Sequence, residues 1–256
     1  MNIVVIMKQT MDTEEKIVLE NNEIVTDNAE LIINPYDEYA IEEAVRLKEQ
    51  HGGEVTVITV GSSEAESALR TALAMGSDHA VLIENTDDLQ LDENSMAKIL
   101  AEAIKDRDFD IILGGNMSVD NGASQVGPRI AELLDIPHAA TITKLSVEGE
   151  KVRAERDVEG DVEIIETTLP VLVTAQQGLN EPRYPSLPGI MKAKKKPLER
   201  LEIDDLDIDE DLLTPKSKTV NFYLPPKKES GRLLQGDIQA QAAELVQLLR
   251  AEVKNI

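Results

Sequence analysis

Unbroken runs of Val and Ile, each followed by a stretch with helical spacing, constrain this chain more than any motif does. Asn2–Met7 (NIVVIM) is apolar without alternation, as a strand covered on both faces must be. Asn34-Pro35-Tyr36-Asp37 then makes a turn and N-cap for a helix reaching about Glu49. Ile41, Ala44, Val45 and Leu47 give that helix one apolar face, and Gly52-Gly53 stops it. The same reading predicts strands over 54–60, 79–83 and 109–113, and helices over 63–75, 91–105 and 124–134. Strands alternating with helices imply right-handed crossovers and a parallel sheet. Aromatic residues make up only 2% of the chain and Trp is absent, so Ile, Val, Leu and Ala must supply the core, as they do in such sheets.

Past Pro137 the pattern changes. Runs at 140–147, 151–156 and 162–168 are joined by Glu148-Gly149-Glu150 and Glu159-Gly160-Asp161, which predicts an antiparallel meander. Leu169–Thr174 returns to the main sheet. Near the start, Asn21-Asn22 between short apolar runs predicts a hairpin over 16–25. After Pro197 the alternation is lost. Leu201–Asp211 is dominated by acids, and Pro215, Pro225 and Pro226 interrupt the residues beyond it. Ile238–Val253 then reads as an amphipathic helix with Ala242, Leu245, Leu248, Leu249 and Val253 on one side. Such a tail is disordered or wraps a partner, and the second is favoured. The expected organisation is an α/β domain over 1–200 and a C-terminal arm over 201–256.

Gly178–Lys196 (GLNEPRYPSLPGIMKAKKK) stands apart. Pro182, Pro185 and Pro188 fix φ and remove donors, so neither a regular helix nor an inner strand is expected through it. Tyr184, Leu187, Ile190 and Met191 are costly to expose without a purpose. Lys192, Lys194, Lys195 and Lys196 follow, in a chain of net charge -23. The stretch is either a docking loop with an apolar tip and basic flank, or a core cover with solvated lysines.

The acidity argues against a general nucleic-acid binder. The absence of Cys removes disulfides and thiolate sites and fits a reducing compartment. Residues 2–7 read as a strand rather than the start of a signal peptide, so cytoplasm is expected.

In open α/β sheets ligands bind beyond the carboxyl ends of the strands. Three loops qualify: Lys8–Met11, Val60–Ser63 and Gly114–Gly127. The last, GGNMSVDNGASQVG, places glycines and hydroxyls before a helix starting around Ala123. Its N–H groups and the helix dipole form an anion cradle without Lys or Arg. The plainer alternative is an ordinary flexible loop capped by Ser124. The loop is neither GxGxxG nor a Walker loop. His51, His79 and His138 are scattered, and Asp37/Glu38 and Glu42/Glu43 read as solvated helix faces. No Ser/His/Asp grouping stands out. A nucleotide cradle without a catalytic constellation points to a binding or carrier subunit rather than an enzyme.

AERDVEGDVEIIETTLPVLVT (154–174), the downstream LNEPRYPSLPGIMKAKKK, INPYDEYAIEEAVRLKE (33–49) and LRTALAMGSDHAVLI (69–83) together resemble the β subunit of electron-transfer flavoprotein, of the Gram-positive bacterial type. The resemblance spans nearly the whole chain and weakens after about Leu201. It implies an adenine nucleotide hydrolase-like Rossmann fold and an α subunit holding most of a redox-active FAD. It implies electrons arriving from acyl-CoA dehydrogenases, as in fatty acid β-oxidation, and leaving to a membrane quinone oxidoreductase. The family's docking loop matches 178–196. Its anchor leucine matches Leu187, beside Tyr184, Ile190 and Met191, and its flanking lysines match Lys192 and Lys195. Tyr36 and Thr13 match positions that approach the shared flavin, although some relatives have tyrosine where Thr13 stands. Arg156 and Asp157 match a subunit interface. The C-terminal arm would pack on the α subunit.

The family also holds AMP, structurally. The resemblance puts the adenine near Ile6 and Val60 and the phosphate near Ser118, Asn121, Ser124, Gln125 and Val126. Many AMP-binding relatives have Asn and Thr where this chain has Ser124 and Val126. Gln125-Val126-Gly127-Pro128 looks more like electron-bifurcating relatives, which place a second FAD here, and Gly127 would leave room for it. AMP is kept ahead of FAD. A free-standing nucleotide sensor, as a homodimer, is the reading from another class. A docking loop and a long arm disfavour it, and a hydrolase lacks its nucleophile.

Overall fold

The computed structural model describes residues 1–21, 23–26, 29–86, 89–228 and 230–252. In chain order come β1 (Asn2–Ile6), β2 (Gln9–Met11), β3 (Leu19–Glu20), β4 (Glu23–Ile24), β5 (Leu31–Ile33), α1 (Pro35–His51) and β6 (Glu54–Gly61). They are followed by α2 (Glu66–Met75), β7 (His79–Glu84), α3 (Glu93–Lys105), β8 (Ile111–Gly115), α4 (Val126–Leu133), β9 (His138–Glu148), β10 (Lys151–Val158) and β11 (Asp161–Thr168). The last elements are β12 (Val171–Ala175), α5 (Leu187–Ala193), β13 (Leu198–Glu202), α6 (Glu210–Leu213) and α7 (Ile238–Glu252). Met1–Val18 with Ile24–Val220 forms one compact unit, and the described parts of Leu19–Glu23 and Asn221–Ile256 form another.

Among the described residues the main sheet runs β11-β10-β9-β12-β8-β1-β6-β7-β13. Every neighbouring pair from β9 to β13 is parallel, while β9, β10 and β11 pair antiparallel. This is the parallel α/β sheet that the alternation predicts, with the meander expected past Pro137 and the Rossmann-like architecture that the resemblance implied. β1 shows why its run is unbroken. Ile3, Val5 and Met7 share a core with Ile41 and Ala44 of α1 and Leu69 and Leu73 of α2. Val4 and Ile6 share the opposite core with Ile99 and Ile104 of α3 and Ile130 of α4. Successive side chains point to opposite faces, so a strand sandwiched between helices has no polar side. The predicted hairpin is the β3–β4 pair. Asn22 of its turn and Val253 of the last helix lie outside the described residues.

Four expectations need correction. The 178–196 stretch contains a helix, α5, because Pro188 falls in its first turn, where an N–H has no helical partner to lose. Ser186 caps it, accepting from Gly189 N at 3.1 Å. The alternation does not end at Pro197: β13 adds itself to the edge, pairing parallel with β7 from Leu198↔Ala80 to Glu202↔Glu84. An edge strand tolerates charge. Here Glu199 meets Arg107 at 2.9 Å, and Arg200 pairs with Glu84 and Glu66. Helix α4 begins at Val126, two residues later than expected, because Ser124 has φ 55°.

The acids of α1 are the fourth. Asp37, Glu42 and Glu43 are buried. The Arg183 guanidinium sits at 2.8 Å from Glu42 and 2.7 Å from Glu49. Asn180 Nδ2 donates to Glu43 Oε2 and to Tyr39 O, both at 3.0 Å. A long-range strap therefore covers this face, and helical spacing alone cannot announce it. The far end of the strap is tied to α2. Arg70 donates to the carbonyls of Ala193 and Lys196 at 3.0 Å. A Cβ at Gly189 would lie 2.6 Å from Ala74 O.

Helix α4 lies equally close on β12. A Cβ at Gly127 would come within 2.7 Å of Thr174 Cγ2. Gly127→Ala should therefore lower stability by roughly 1–3 kcal/mol, as overpacking does. Adding Thr174→Ser removes that methyl and keeps the hydroxyl that accepts from Thr141 N at 3.0 Å. The double variant should recover most of the loss in denaturant midpoint. An undiminished loss would place the clash elsewhere.

Candidate functional site

β1 has β6 on one side and β8 on the other. The helix after β1 packs on one face of the sheet and the helix after β8 on the opposite face. The chain thus leaves two adjacent strands in opposite directions, which opens a crevice beyond their carboxyl ends. The lining of this cavity includes Ile6, Val60, Ser118, Asn121, Ser124, Gln125 and Val126. All the residues that the resemblance implied for a nucleotide therefore share one crevice. The loop before α3 and its first turns close the far wall with Leu91, Asp92, Glu93, Met96 and Leu100.

Three residues outside the expected nucleotide set hold the crevice open. Asp37 Oδ2 accepts from Lys8 N at 2.7 Å, and its Oδ1 accepts from Gly115 N at 2.8 Å. One carboxyl thereby ties the ends of β1 and β8 to the start of α1. Asn34 occupies the N-cap position without capping. Its amide donates to Met117 O at 2.9 Å and accepts from Val119 N at 3.1 Å, holding the loop after β8. Lys8 lines the crevice and pairs with Asp120 at 2.5 Å. Burial alone would raise the Asp120 carboxyl; hydrogen bonds from Lys8 and Ser118 hold it below its usual range instead. The cradle is thus not free of cations, as the loop composition suggested. Asn-Pro ahead of a helix, and a Lys directly after a strand, were the available signals.

At the other wall, α4 has Gln125 at its N-cap position with no side-chain cap, so Ser124 is not its cap. The first N–H groups of a helix lack intrahelical partners, and Pro128 has none, which leaves Val126 and Gly127 as donors for an anion. Gln125 Oε1 accepts from Arg129 at 2.8 Å. Asn121 Oδ1 accepts from Ser118 Oγ at 2.9 Å and Ala123 N at 3.1 Å, and its amide donates to Glu93 at 3.0 Å. Gly127 lines the crevice, but Thr174 occupies the space its side chain would need, so the glycine does not enlarge the site.

The apolar tip of 178–196 is open. Tyr184 is 95% exposed, Leu187 80%, Met191 72% and Ile190 43%. Lys192 and Lys195 are exposed beside them. Thr13 and Tyr36 do not line the crevice; they flank opposite ends of the β2–β5 ladder, in which Met11 faces Leu31 and Gln9 faces Ile33. Arg156 does not pair with its neighbour Asp157. Adjacent strand residues point to opposite faces. Its partner is the cross-strand Glu163, at 2.5 Å. Among the described residues no group of three or more His, Cys, Asp or Glu could hold a metal, and no helix is long and apolar enough to cross a membrane.

Burial drives the Asp37 carboxyl up to about 7, against the lowering effect of the N–H groups of Lys8 and Gly115. The folded state thus holds this proton more tightly than the unfolded chain. The stability it contributes is complete below the unfolded value of 3.8 and is lost as pH rises through about 7. Asp37→Asn does not titrate. Between pH 5 and pH 8 the denaturation midpoint of the wild type should therefore fall relative to that of the variant. A difference that stays constant across the range would show that Asp37 does not titrate there.

The model of the electron transfer flavoprotein domain family matches residues 22–206. The chain is 65% identical to the electron transfer flavoprotein subunit beta of Bacillus subtilis, over 100% of both chains. It is 40% identical to the same subunit of Syntrophomonas wolfei, covering 99% of this chain and 98% of that one. It is 35% identical to the human subunit, over 90% of this chain and 91% of the relative. With a family match over most of its length and relatives aligned almost end to end, this chain belongs to the electron transfer flavoprotein family, as a subunit beta.

Proposed function

We propose that this chain is half of a heterodimeric electron carrier of the cytoplasm. It pairs with an alpha subunit that holds most of an FAD at the shared interface. Electrons come from acyl-CoA and other flavoprotein dehydrogenases and pass to a membrane quinone oxidoreductase. Thr13, Tyr36, Arg156 and Asp157 face the alpha subunit in this reading, and the arm over 201–256 packs on it. The β1/β8 crevice holds AMP as a structural ligand, with its phosphate on the α4 N–H groups and Lys8, and its adenine against Ile6 and Val60.

The observation that carries the reading is the 184–191 tip. Large apolar side chains stand in solvent on a base tied to two helices by Arg183, Asn180 and Arg70. A chain that packed this stretch for its own stability would have turned Leu187 inward. One leucine buried on contact contributes roughly 1.5–3 kcal/mol, enough to dock and too little to hold. A carrier needs that balance.

Leu187→Ala should leave folding and flavin content unchanged, since the side chain is exposed. It should slow reduction by an acyl-CoA dehydrogenase roughly 10- to 100-fold at low donor concentration. An unchanged rate would remove Leu187 from the docking surface. Acid extraction of the holoprotein, followed by chromatography, should release FAD and AMP in equal amounts. Two FAD per heterodimer and no AMP would instead assign the crevice to a second flavin, as in the bifurcating type.

A further inference from the structure

Asp92 belongs to two structures at once. Its Oδ1 caps α3, accepting from Asn94 N at 3.1 Å and Ser95 N at 3.0 Å. Its Oδ2 accepts from a stretch more than a hundred residues away, from Lys216 N at 2.6 Å, Ser217 N at 2.9 Å and Ser217 Oγ at 3.2 Å. So many donors on one carboxylate hold it ionised well below its usual range, although burial opposes this. The same residue lines the crevice, between Leu91 and Glu93. The distant stretch also runs along α3. Lys98 Nζ donates to Leu212 O at 2.9 Å, and Leu213 is buried in the core with Ala97 and Leu100. Ser217 itself is exposed and does not line the crevice; it reaches the wall only through Asp92. Just past it, at Asn221, the chain enters its second unit.

We propose that Asp92 is a positioning residue that couples occupancy of the crevice to the order of residues 214–217, the point from which the C-terminal stretch departs. The proposal rests on the crevice binding an adenine nucleotide. A ligand seated against Leu91, Glu93 and Met96 fixes the first turn of α3. Fixing that turn fixes the carboxylate, which in turn holds the N–H groups of Lys216 and Ser217. Linkage makes the effect reciprocal: a stretch held at 214–217 steadies the crevice wall and tightens the ligand. Nucleotide binding would then set where the C-terminal stretch begins.

The test is amide hydrogen exchange on the nucleotide-stripped full chain, with and without AMP, alongside calorimetric AMP affinity. AMP should slow exchange at 118–127 and also at 214–218, the latter roughly 5-fold or more, the low end for coupled sites. Asp92→Asn leaves a single acceptor oxygen for both ends. Ser217→Pro, in exposed coil, deletes the N–H and hydroxyl donors and spares α3. In both variants the AMP-dependent slowing at 214–218 should vanish. Ser217→Pro should also weaken AMP binding roughly 5-fold, although the residue lies outside the crevice. A merely structural role would lower stability and leave the AMP-dependent difference in place. Protection of 118–127 with no change at 214–218 overturns the coupling and leaves the nucleotide site standing. Failure of AMP to bind the wild type removes the AMP reading, and the AMP-dependent coupling with it.

Discussion

Two parallel strands that hand the chain to helices on opposite faces cannot close their own ends. β1 and β8 part in this way, and the gap between them is bridged by one buried carboxyl. Asp37 accepts N–H groups from both strand ends while sitting out of water, where ionisation is disfavoured. Asn34, one turn earlier, holds the loop beyond β8. The crevice exists because these side chains satisfy backbone donors and acceptors that the diverging loops would otherwise leave buried and unpaired. Its shape, the aim of the α4 N–H groups and the reach of Lys8 all depend on that bridge.

The 178–196 strap obeys the same logic at the surface. Arg183 and Asn180 turn inward while Tyr184, Leu187 and Met191 stand outward, the reverse of an ordinary cover. Arg183 and Asn180 satisfy acids on α1 that would be expensive to bury alone. That frees the tip from any duty in the core and lets it present Leu187 and Tyr184 to another protein. Rigidity at the base and exposure at the tip are one arrangement, since a loose base would lose the entropy of ordering on every encounter.

Much of this was legible beforehand. The sheet, its helices and the meander come from runs such as NIVVIM and EVTVITV, whose burial on both faces is a local property. The crevice residues could be gathered because loops at carboxyl strand ends converge by topology. Three of the features that escaped show why. The burial of Glu42 and Glu43 depends on Arg183, which lies more than a hundred residues away. The helical turn after Pro185 depends on where Pro188 falls relative to an N-terminus. The edge strand at Leu198 shows no alternation to read, because Leu198 and Leu201 pack on opposite faces of the sheet and its charges find partners on Arg107 and Glu84.

Sequence alone determined which segments are strands and helices, that the sheet is mainly parallel, and that one stretch is too apolar to be a simple linker. Those facts are written in nearest neighbours and in periods of two and 3.6 residues. Only the tertiary structure decided which acids are buried, which cation faces the crevice, and that Asp92 serves two distant segments. Such facts depend on which side chains meet across the fold, and no local pattern encodes a hydrogen bond between residues a hundred positions apart.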